Sequence, residues 1–264
     1  MNYWTKRIEL AAKAKESVKL MQEKYSDEIA RCISQSIVYG WPNTIPNSFT
    51  ERKGSAEQTV IQDTTDGALF RISADETLSD KKIALLNFAS YENPGGKFIE
   101  GSSAQEESTC HASFLYNVLS NMPEYYEWNK AHKNKALYMD RAIYSPDVIF
   151  TVDGKVCKAD VITCAAPNRS VLEKHGSFTE EENFNTLHDR VLFVRNICTD
   201  NNVDVAILGA WGCGVFRQRP SVVSNFFFDA FKDTGIKVVY AVPDKPTYDV
   251  FVTNIDSWNK VKDV

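Results

Sequence analysis

Hydrophobic residues recur at helical spacing in the first part of the chain. Between residues 5 and 35 they return every three or four positions, with lysine and glutamate between them. The apolar positions of this stripe are Val18, Met21, Tyr25, Ile29 and Cys32. Such spacing predicts one amphipathic helix whose apolar face packs on a core. Residues 40–56 contain two prolines and several turn residues, and they predict a loop.

From about residue 58 onwards, short apolar runs alternate with helical segments. The predicted strands cover residues 59–64, 69–73, 82–90, 159–168, 203–211 and 237–244, and a hairpin at 148–157 turns at Asp153 and Gly154. The predicted helices cover residues 104–120, 187–200, 220–235 and 248–260, the third with Pro220 at its start and Gly235 as its C-cap. This alternation favours an α/β fold of three layers, in which helices flank a mixed, largely parallel sheet.

Three loops are predicted to meet at one edge of this sheet, because ligands of such sheets bind beyond the carboxyl ends of the strands. The loops are 90–103, 165–170 and 209–219, and each follows a predicted strand. Two of them are rich in glycine, which lets backbone N–H groups approach a phosphate or a sugar closely. We therefore expect a site for a nucleotide-like ligand that carries a diphosphate.

Length and composition limit the architecture and the partners. The 264 residues allow one large α/β domain or two small ones, and the net charge of −5 argues against general nucleic-acid binding, which relies on a basic face. No apolar run approaches the roughly twenty residues of a membrane helix. The first residues lack the apolar stretch of a secretory signal, so we expect a cytoplasmic, intracellular protein without membrane contact. The six cysteines are widely scattered, which argues against a zinc site or a disulfide framework, and we expect neither a metal nor another cofactor.

Two adjacent carboxylates, Glu106 and Glu107, open the helix that follows the first glycine loop. Helical spacing places Glu107 on one stripe with Phe114 and Val118, so its carboxylate points towards the interior or a cleft. Glu106 lies about 100° around the helix and cannot share a task symmetrically with it. A carboxylate on an apolar stripe is costly unless it is paired or functional, which favours one catalytic carboxylate beside a residue that binds a hydroxyl. The alternative is that both are only favourable charges in a first helical turn.

A second glycine motif lies between the strand 203–211 and the helix that begins near Pro220. Its sequence is Gly209-Ala210-Trp211-Gly212-Cys213-Gly214-Val215-Phe216. Its glycines permit an unusual backbone path next to a helix N-terminus, where anions bind. A tight strand-to-helix turn is the structural alternative. Phe216 is placed either to stack on a sugar or base or to pack in the core.

Taken in this order, the motifs resemble the signature of bacterial-type poly(ADP-ribose) glycohydrolases. The matching residues are Asn87-Phe88-Ala89-Ser90, Asn93-Pro94-Gly95-Gly96, and Gly101 followed by Ala104-Gln105-Glu106-Glu107, and then the motif 209–216. The resemblance extends over most of the chain, including the N-terminal helix and the final strand and helix. It implies the macro-domain fold. We therefore expect residues 1–264 to form a single catalytic domain of this type, with residues 1 to about 55 as a helical extension packed on it.

The resemblance also implies a role for each residue of the site. Glu107 is implied to be the catalytic carboxylate, which protonates the leaving ribose oxygen and then activates water at the anomeric carbon. Glu106 is implied to hold the ribose hydroxyls of the scissile unit, with Gln105 supporting both glutamates. The implied substrate-binding residues are Gln105, Asn87, Asn93, Gly95, Gly96, Gly212, Cys213, Gly214, Val215 and Phe216. A metal is not implied.

The implied activity is hydrolysis of the ribose–ribose O-glycosidic bond of poly(ADP-ribose) with release of ADP-ribose, and the acidic net charge favours attack at chain ends. Removal of single ADP-ribose units from protein or nucleic acid, and ADP-ribose binding without catalysis, are the alternatives. The expected partners are ADP-ribose or poly(ADP-ribose) and ADP-ribosylated macromolecules. Lys97 stands where the family's turn usually has a third glycine, and we expect this difference to affect turnover or substrate preference. Asp63 and Asp66 are the candidates for contacting the adenine.

Overall fold

The structure, a computed structural model, describes residues 3–46 and 54–262. In these ranges seven strands form one sheet. They are β1 (Ile37–Tyr39), β2 (Gln58–Ile61), β3 (Ile83–Phe88), β4 (Ala142–Val152), β5 (Lys155–Cys164), β6 (Val205–Gly209) and β7 (Lys237–Ala241). Their order across the sheet is β1-β4-β5-β3-β6-β7-β2. The pairs from β5 to β2 are parallel, whereas β1, β4 and β5 pair antiparallel, so the predicted mixed, largely parallel sheet is confirmed.

The described ranges also contain ten α-helices. They are α1 (Tyr3–Lys24), α2 (Ser26–Gln35), α3 (Thr65–Ser73), α4 (Gln105–Ala112), α5 (Leu115–Leu119), α6 (Pro123–Ala131), α7 (Ser170–His175), α8 (Glu180–Asp200), α9 (Pro220–Phe231) and α10 (Lys245–Lys262). Among these helices, none is both long enough and apolar enough to cross a membrane.

Side chains of the central strands alternate between two hydrophobic cores, one on each face of the sheet. In β3, Ile83 and Leu85 belong to the core that also contains residues of α1 to α6. Ala84 and Leu86 point to the opposite core, which they share with residues of α8, α9 and α10. Burial on both faces explains why the sequence of this strand is a nearly continuous apolar run. The predicted three-layer arrangement is confirmed.

The N-terminal segment forms two helices instead of the single helix predicted over residues 5–35. Tyr25 separates them with non-helical dihedral angles, and its ring packs against Phe114 at a centroid distance of 6.3 Å. The predicted apolar stripe does face the core, in which Ile29 and Cys32 are buried. The predicted loop continues from β1 towards β2, and its residues 47–53 lie outside the described residues.

The segment 69–73 is helical, and its prediction as a strand is wrong. It is the second half of α3, whose first residue follows the N-cap Thr64, and the Thr64 side chain accepts a hydrogen bond from the Gly67 amide. Ala68, Leu69 and Ile72 are buried along one face of this helix. Five mostly apolar residues are too few to distinguish a strand from a buried helix by periodicity alone.

Several helix boundaries also differ from the prediction. The helix α8 begins at Glu180 instead of residue 187, and α10 begins at Lys245 instead of residue 248. The helix expected over residues 104–120 is interrupted at Ser113, which is extended and pairs with Phe150 of β4. The helix α9 begins at Pro220 as expected, but it ends at Phe231 with Lys232 as its C-cap, so Gly235 is not the cap. The hairpin between β4 and β5 does turn at Asp153 and Gly154.

Candidate active site

A cavity of about 550 Å³ lies at the edge of the sheet where the parallel strands end. Residues of all three predicted loops line it, which confirms that these loops meet there. The first loop contributes Ser103, the second contributes Ala166, and the third contributes residues 210–216. A volume of this size is typical of small-molecule sites.

Two further segments line the cavity. The sequence interpretation named Asp66 of the first as an adenine candidate but placed neither segment at this edge of the sheet. The N-terminus of α3 contributes Thr64, Thr65 and Asp66, which the wrong strand assignment of its second half obscured. The turn between β7 and α10 contributes residues 241–244 together with Thr247. The same rule on strand carboxyl ends, applied to β7, would have identified the second segment.

Gln105, the first residue of α4, joins this helix to the end of β3. Its side-chain oxygen accepts a hydrogen bond from the Phe88 amide (2.8 Å), and its nitrogen donates to the Leu86 carbonyl oxygen (3.0 Å) and to the Thr65 hydroxyl (3.1 Å). These contacts fix the position of the two glutamates that follow. Gln105 also lines the cavity.

Glu106 is buried, with 4 % of its surface exposed. Its two carboxyl oxygens accept hydrogen bonds from the Ser90 amide (2.7 Å) and from the Asn87 side chain (3.2 Å). Burial raises the pKa of Glu106 to about 8, because desolvation outweighs the hydrogen bonds from Ser90 and Asn87 that favour the charged form. The group therefore carries its proton at neutral pH.

Glu107 is also buried, with 6 % of its surface exposed. Its carboxyl oxygens accept one backbone hydrogen bond each, from the Lys97 amide (2.9 Å) and from the Ala104 amide (2.9 Å). The second bond is the reciprocal contact that a glutamate in the third helical position makes with the N-cap. Each oxygen keeps a second lone pair for another partner. Burial of Glu107 agrees with its predicted inward direction. Glu106 is buried as well, which the predicted apolar stripe of Glu107, Phe114 and Val118 does not explain.

The two carboxylates approach each other at Gly96. A Cβ atom added to Gly96 would lie 2.7 Å from Oε1 of Glu107 and 2.9 Å from Oε2 of Glu106, and the residue has a left-handed φ of +61°. Gly95 is also left-handed (φ +63°), and a Cβ there would lie 2.7 Å from the ring of Tyr116. Only glycine fits this turn, because both its conformation and the space around it exclude a side chain.

Asn93 and Lys97 flank this turn and are exposed. The carbonyl oxygen of Asn93 accepts a hydrogen bond from the Gly96 amide (3.1 Å). Lys97 does not have a positive φ, which explains why a residue other than glycine is tolerated there. Its backbone amide binds Glu107, while its side chain is exposed.

Asn87 is fully buried between Glu106 and Thr163, to which its side-chain nitrogen donates. Its side-chain oxygen is buried and has no partner within the described part of the chain. Several predicted site residues do not line the 550 Å³ cavity. They are Asn87, Asn93, Gly95, Gly96, Glu106 and Glu107, which form a separate group around the carboxylates.

The second glycine loop borders the cavity along its whole length from residue 210 to residue 216. Gly212 is left-handed (φ +74°), and a Cβ there would lie 2.9 Å from the Cβ of Ala166. A Cβ at Gly214, by contrast, would meet no described atom within 4 Å. In the described ranges, the amides of Gly214, Val215 and Phe216 donate to no protein acceptor. Consecutive free amides of this kind bind anions.

Phe216 packs against an aromatic cluster, formed by Tyr91 and Tyr138, that the sequence did not predict. Its ring lies 6.2 Å from that of Tyr138, which stacks on Tyr91 at 4.2 Å. Tyr138 has a left-handed φ of +63°, and the buried Arg190 donates to its carbonyl oxygen (3.2 Å) and to that of Ala165 (2.7 Å). The cluster joins the two glycine loops, because Tyr91 directly follows the Ser90 that binds Glu106.

The remaining candidates have different environments. Asp66 lines the cavity, whereas Asp63 pairs with Arg71 at 2.7 Å and does not. All six cysteines are free thiols, and burial raises the pKa of Cys213, which lines the cavity, to about 12. Within residues 3–46 and 54–262, no cluster of three or more histidine, cysteine, aspartate or glutamate side chains could hold a metal ion.

Comparison with known proteins identifies relatives of this arrangement. Residues 5–153 match the family described as "Microbial-type PARG, catalytic domain". None of the curated proteins compared with the chain matches it.

Among solved structures, the chain is similar to poly(ADP-ribose) glycohydrolase from Thermomonospora curvata bound to the inhibitor ADP-HPD, with 28 % identity and a TM-score of 0.81 over 94 % of this chain and 99 % of that one. It is also similar to the enzyme from Deinococcus radiodurans in complex with ADP-ribose, with 30 % identity and a TM-score of 0.76 over 87 % of this chain and 97 % of that one. The macro-type fold expected from the sequence is confirmed. The chain belongs to the family of microbial-type poly(ADP-ribose) glycohydrolase (PARG) catalytic domains.

Proposed function

We propose that this protein hydrolyses the ribose–ribose O-glycosidic bond of poly(ADP-ribose) and releases ADP-ribose. The observation that carries the proposal is the meeting of two buried carboxyl groups, those of Glu106 and Glu107, at Gly96. Membership of the microbial-type PARG family supports the same activity. The solved relative from Deinococcus radiodurans binds ADP-ribose, and we propose the same ligand here.

Glu107 is the catalytic carboxyl group in this proposal. Its proton passes to the ribose oxygen that leaves, and the resulting carboxylate then takes a proton from the water that attacks the anomeric carbon. One group performs both steps in turn, so the carboxyl group ends the cycle protonated as it began. The backbone bonds from Lys97 and Ala104 orient both oxygens and leave a lone pair on each for this exchange.

Glu106 is the group that holds the ribose hydroxyls of the scissile unit. Because burial keeps its carboxyl group protonated at neutral pH, it offers a hydroxyl donor as well as acceptor oxygens. The different partners of the two glutamates support this division of roles.

The cavity accommodates the ADP part of the ligand. The amides of Gly214, Val215 and Phe216 are the donors for the diphosphate, and Gly212 and Cys213 shape the turn that presents them. Gly95, Gly96 and Asn93 contact the distal ribose from the other loop. Asp66 is the acidic residue proposed for the adenine, because it lines the cavity while Asp63 is engaged with Arg71.

Attack at chain ends is the mode that we propose, with ADP-ribosylated macromolecules in the cytoplasm as partners. The acidic protein, with a net charge of −5, gains little from lying along a long anionic polymer. The test is incubation with poly(ADP-ribose) and chromatography of the early products. ADP-ribose as the main early product supports attack at chain ends, abundant early oligomers contradict it, and absence of hydrolysis contradicts the proposed function.

Removal of single ADP-ribose units is the second enzymatic candidate. The feature that favours it is Lys97, which is exposed on the first glycine loop. A cation there can contact a phosphate or an acidic stretch of a modified protein. Parallel assays on polymer and on mono-ADP-ribosylated protein distinguish the two activities. Binding of ADP-ribose without any hydrolysis would instead indicate a binding module.

A further inference from the structure

The side chain of Arg7, on the N-terminal helix α1, binds the first glycine loop (residues 90–103). The guanidinium of Arg7 donates from Nε to the Glu100 carbonyl oxygen (2.9 Å) and from a terminal nitrogen to the Glu100 carboxylate (3.0 Å). The Arg7 side chain is 26 % exposed, whereas that of Glu100 is 61 % exposed. The bond to the carbonyl oxygen therefore fixes the backbone of the loop, and the ion pair lies at the surface.

Gly101 makes a second contact with α1, between the two backbones. It is buried and left-handed (φ +80°). A Cβ atom there would lie 1.9 Å from the carbonyl oxygen of Arg7 and 2.9 Å from the nitrogen of Ala11. The helix and the loop approach so closely that only glycine fits between them.

Three hydrogen bonds connect Arg7 with Glu107. Arg7 holds the Glu100 carbonyl oxygen, the Glu100 amide donates to the Lys97 carbonyl oxygen (3.1 Å), and the Lys97 amide donates to Oε1 of Glu107 (2.9 Å). The Ser102 amide donates to the same carbonyl oxygen of Lys97 (3.1 Å). A shift of the loop at Glu100 is therefore transmitted to a backbone donor of Glu107.

The middle of α1 is itself fixed to the core. Ala14 is fully buried, and the side-chain nitrogen of Asn117 on α5 donates to the Val18 carbonyl oxygen (3.0 Å) and to the side-chain oxygen of Gln22 (3.3 Å). Because one half of α1 is attached to α5 and the other half to the loop, the helix braces the loop against the core.

We propose that Arg7 is a positioning residue for Glu107, and that α1 keeps the first glycine loop of the active site in position. This inference rests on the proposed function, in which Glu107 transfers the proton. The residue acts through the loop and does not touch the substrate. Loss of its contacts is expected to move the Lys97 amide and to misalign the carboxyl group with the leaving oxygen.

The first test compares steady-state hydrolysis of poly(ADP-ribose) by the full chain and its variants. For Arg7→Ala we expect kcat to fall about tenfold, because small misplacements of a catalytic group are costly, with KM within about threefold of wild type. Arg7→Lys, which keeps the charge but not the two-point contact, should recover part of kcat. Glu100→Ala loses only the surface ion pair and should change kcat less than about twofold. Lys6→Ala, an exposed neighbour on α1, is the matched control.

The second test does not depend on activity. Hydrogen exchange of the Lys97 amide should accelerate about tenfold in Arg7→Ala and stay unchanged in Lys6→Ala, because local opening sets exchange rates. Wild-type kcat and exchange in Arg7→Ala would overturn the inference, as would equal losses in Glu100→Ala. If Arg7→Ala does not fold, kcat and the exchange rate of the Lys97 amide are measured on Arg7→Lys instead. If wild type does not hydrolyse the polymer, the proposed function fails, and the exchange comparison still decides whether α1 holds the loop.

Discussion

The two glycine loops of the site are crowded by different neighbours. In the loop before α4, a side chain at Gly96 would meet both carboxylates, and one at Gly101 would meet the backbone of α1. In the loop after β6, Gly212 packs against Ala166, but Gly214 faces space in which no described atom lies within 4 Å. The first loop is filled by the protein's own groups, and the second leaves room beside free amides.

In the proposed function, this difference corresponds to a division between catalysis and binding. The glycine turn of the first loop contacts both carboxyl groups, so changes that disturb this turn should act mainly on kcat. The second loop borders the cavity, so changes in it should act mainly on the affinity for ADP-ribose. Substitutions in each loop test this division.

The largest effect is expected for Gly96→Ala. The added methyl group would collide with both carboxyl groups in a left-handed turn, so kcat should fall by a factor of about 100 to 1,000, the range lost when a general acid–base group is misplaced. Steady-state kinetics on poly(ADP-ribose) measure it. Gly154→Ala, in the β4–β5 hairpin, is the matched control, because it has a similar φ (+77°) with no described atom near its Cβ. Equal turnover in the two variants would contradict the role of Gly96.

The next effect concerns stability and pH. The pKa of Glu106 is about 8 in the folded protein and near 4.5 when unfolded, so the folded state binds more protons between these values. Stability should therefore fall as pH rises from about 4.5 to 8, by a few kcal/mol. Glu106→Gln removes the titrating group and should flatten this dependence. Denaturant unfolding at pH 5 and pH 8 measures the difference, and the same slope in both proteins would refute the assigned cause.

A smaller effect is expected for Gly214→Val in the second loop. Its side chain enters the open space that we assign to the ligand, so the dissociation constant for ADP-ribose should rise about tenfold, the factor that corresponds to 1.4 kcal/mol. The thermal midpoint should not change, because the position is not left-handed and meets no described atom. Calorimetric titration with ADP-ribose measures it. Unchanged affinity would show that the ligand does not approach this loop.

The smallest effect is expected for Lys97→Ala. An exposed ammonium contributes at most about 1 kcal/mol to a phosphate contact, so KM for polymer should rise about twofold to fivefold at low salt, with kcat unchanged. The effect should disappear at high salt, where surface charges are screened. Lys155→Ala is the control, because Lys155 begins β5 and so lies at the amino ends of the parallel strands, away from the cavity. A loss of kcat instead would mean that the side chain contributes to the position of Glu107.

The sequence predicted the parts of this comparison that depend on local patterns. Apolar runs located β3, β6 and β7, and the glycines together with Glu106 and Glu107 marked both loops. The position of α3 was missed because residues 69–73 fit a strand as well as a helix. The interruption at Ser113 was missed because it depends on pairing with β4, far along the chain.

Contacts between distant segments could not be predicted from the sequence. The sequence around Arg7 gives no sign that its side chain contacts Glu100, 93 positions away. The left-handed conformation of Tyr138 is held by Arg190, and the sequence around either residue carries no signal of it. Such contacts decide how the loops are held, whereas the local motifs decide which chemistry they carry.

The most direct test of the account is the variant Glu107→Gln, measured in two ways. We predict that hydrolysis of poly(ADP-ribose) falls at least about 1,000-fold, because the amide can neither give nor take the proton. Calorimetry should give a dissociation constant for ADP-ribose within about threefold of wild type, because the cavity and the second loop are intact. Hydrolysis near the wild-type rate would contradict the central claim that Glu107, held by the first loop, is the catalytic group.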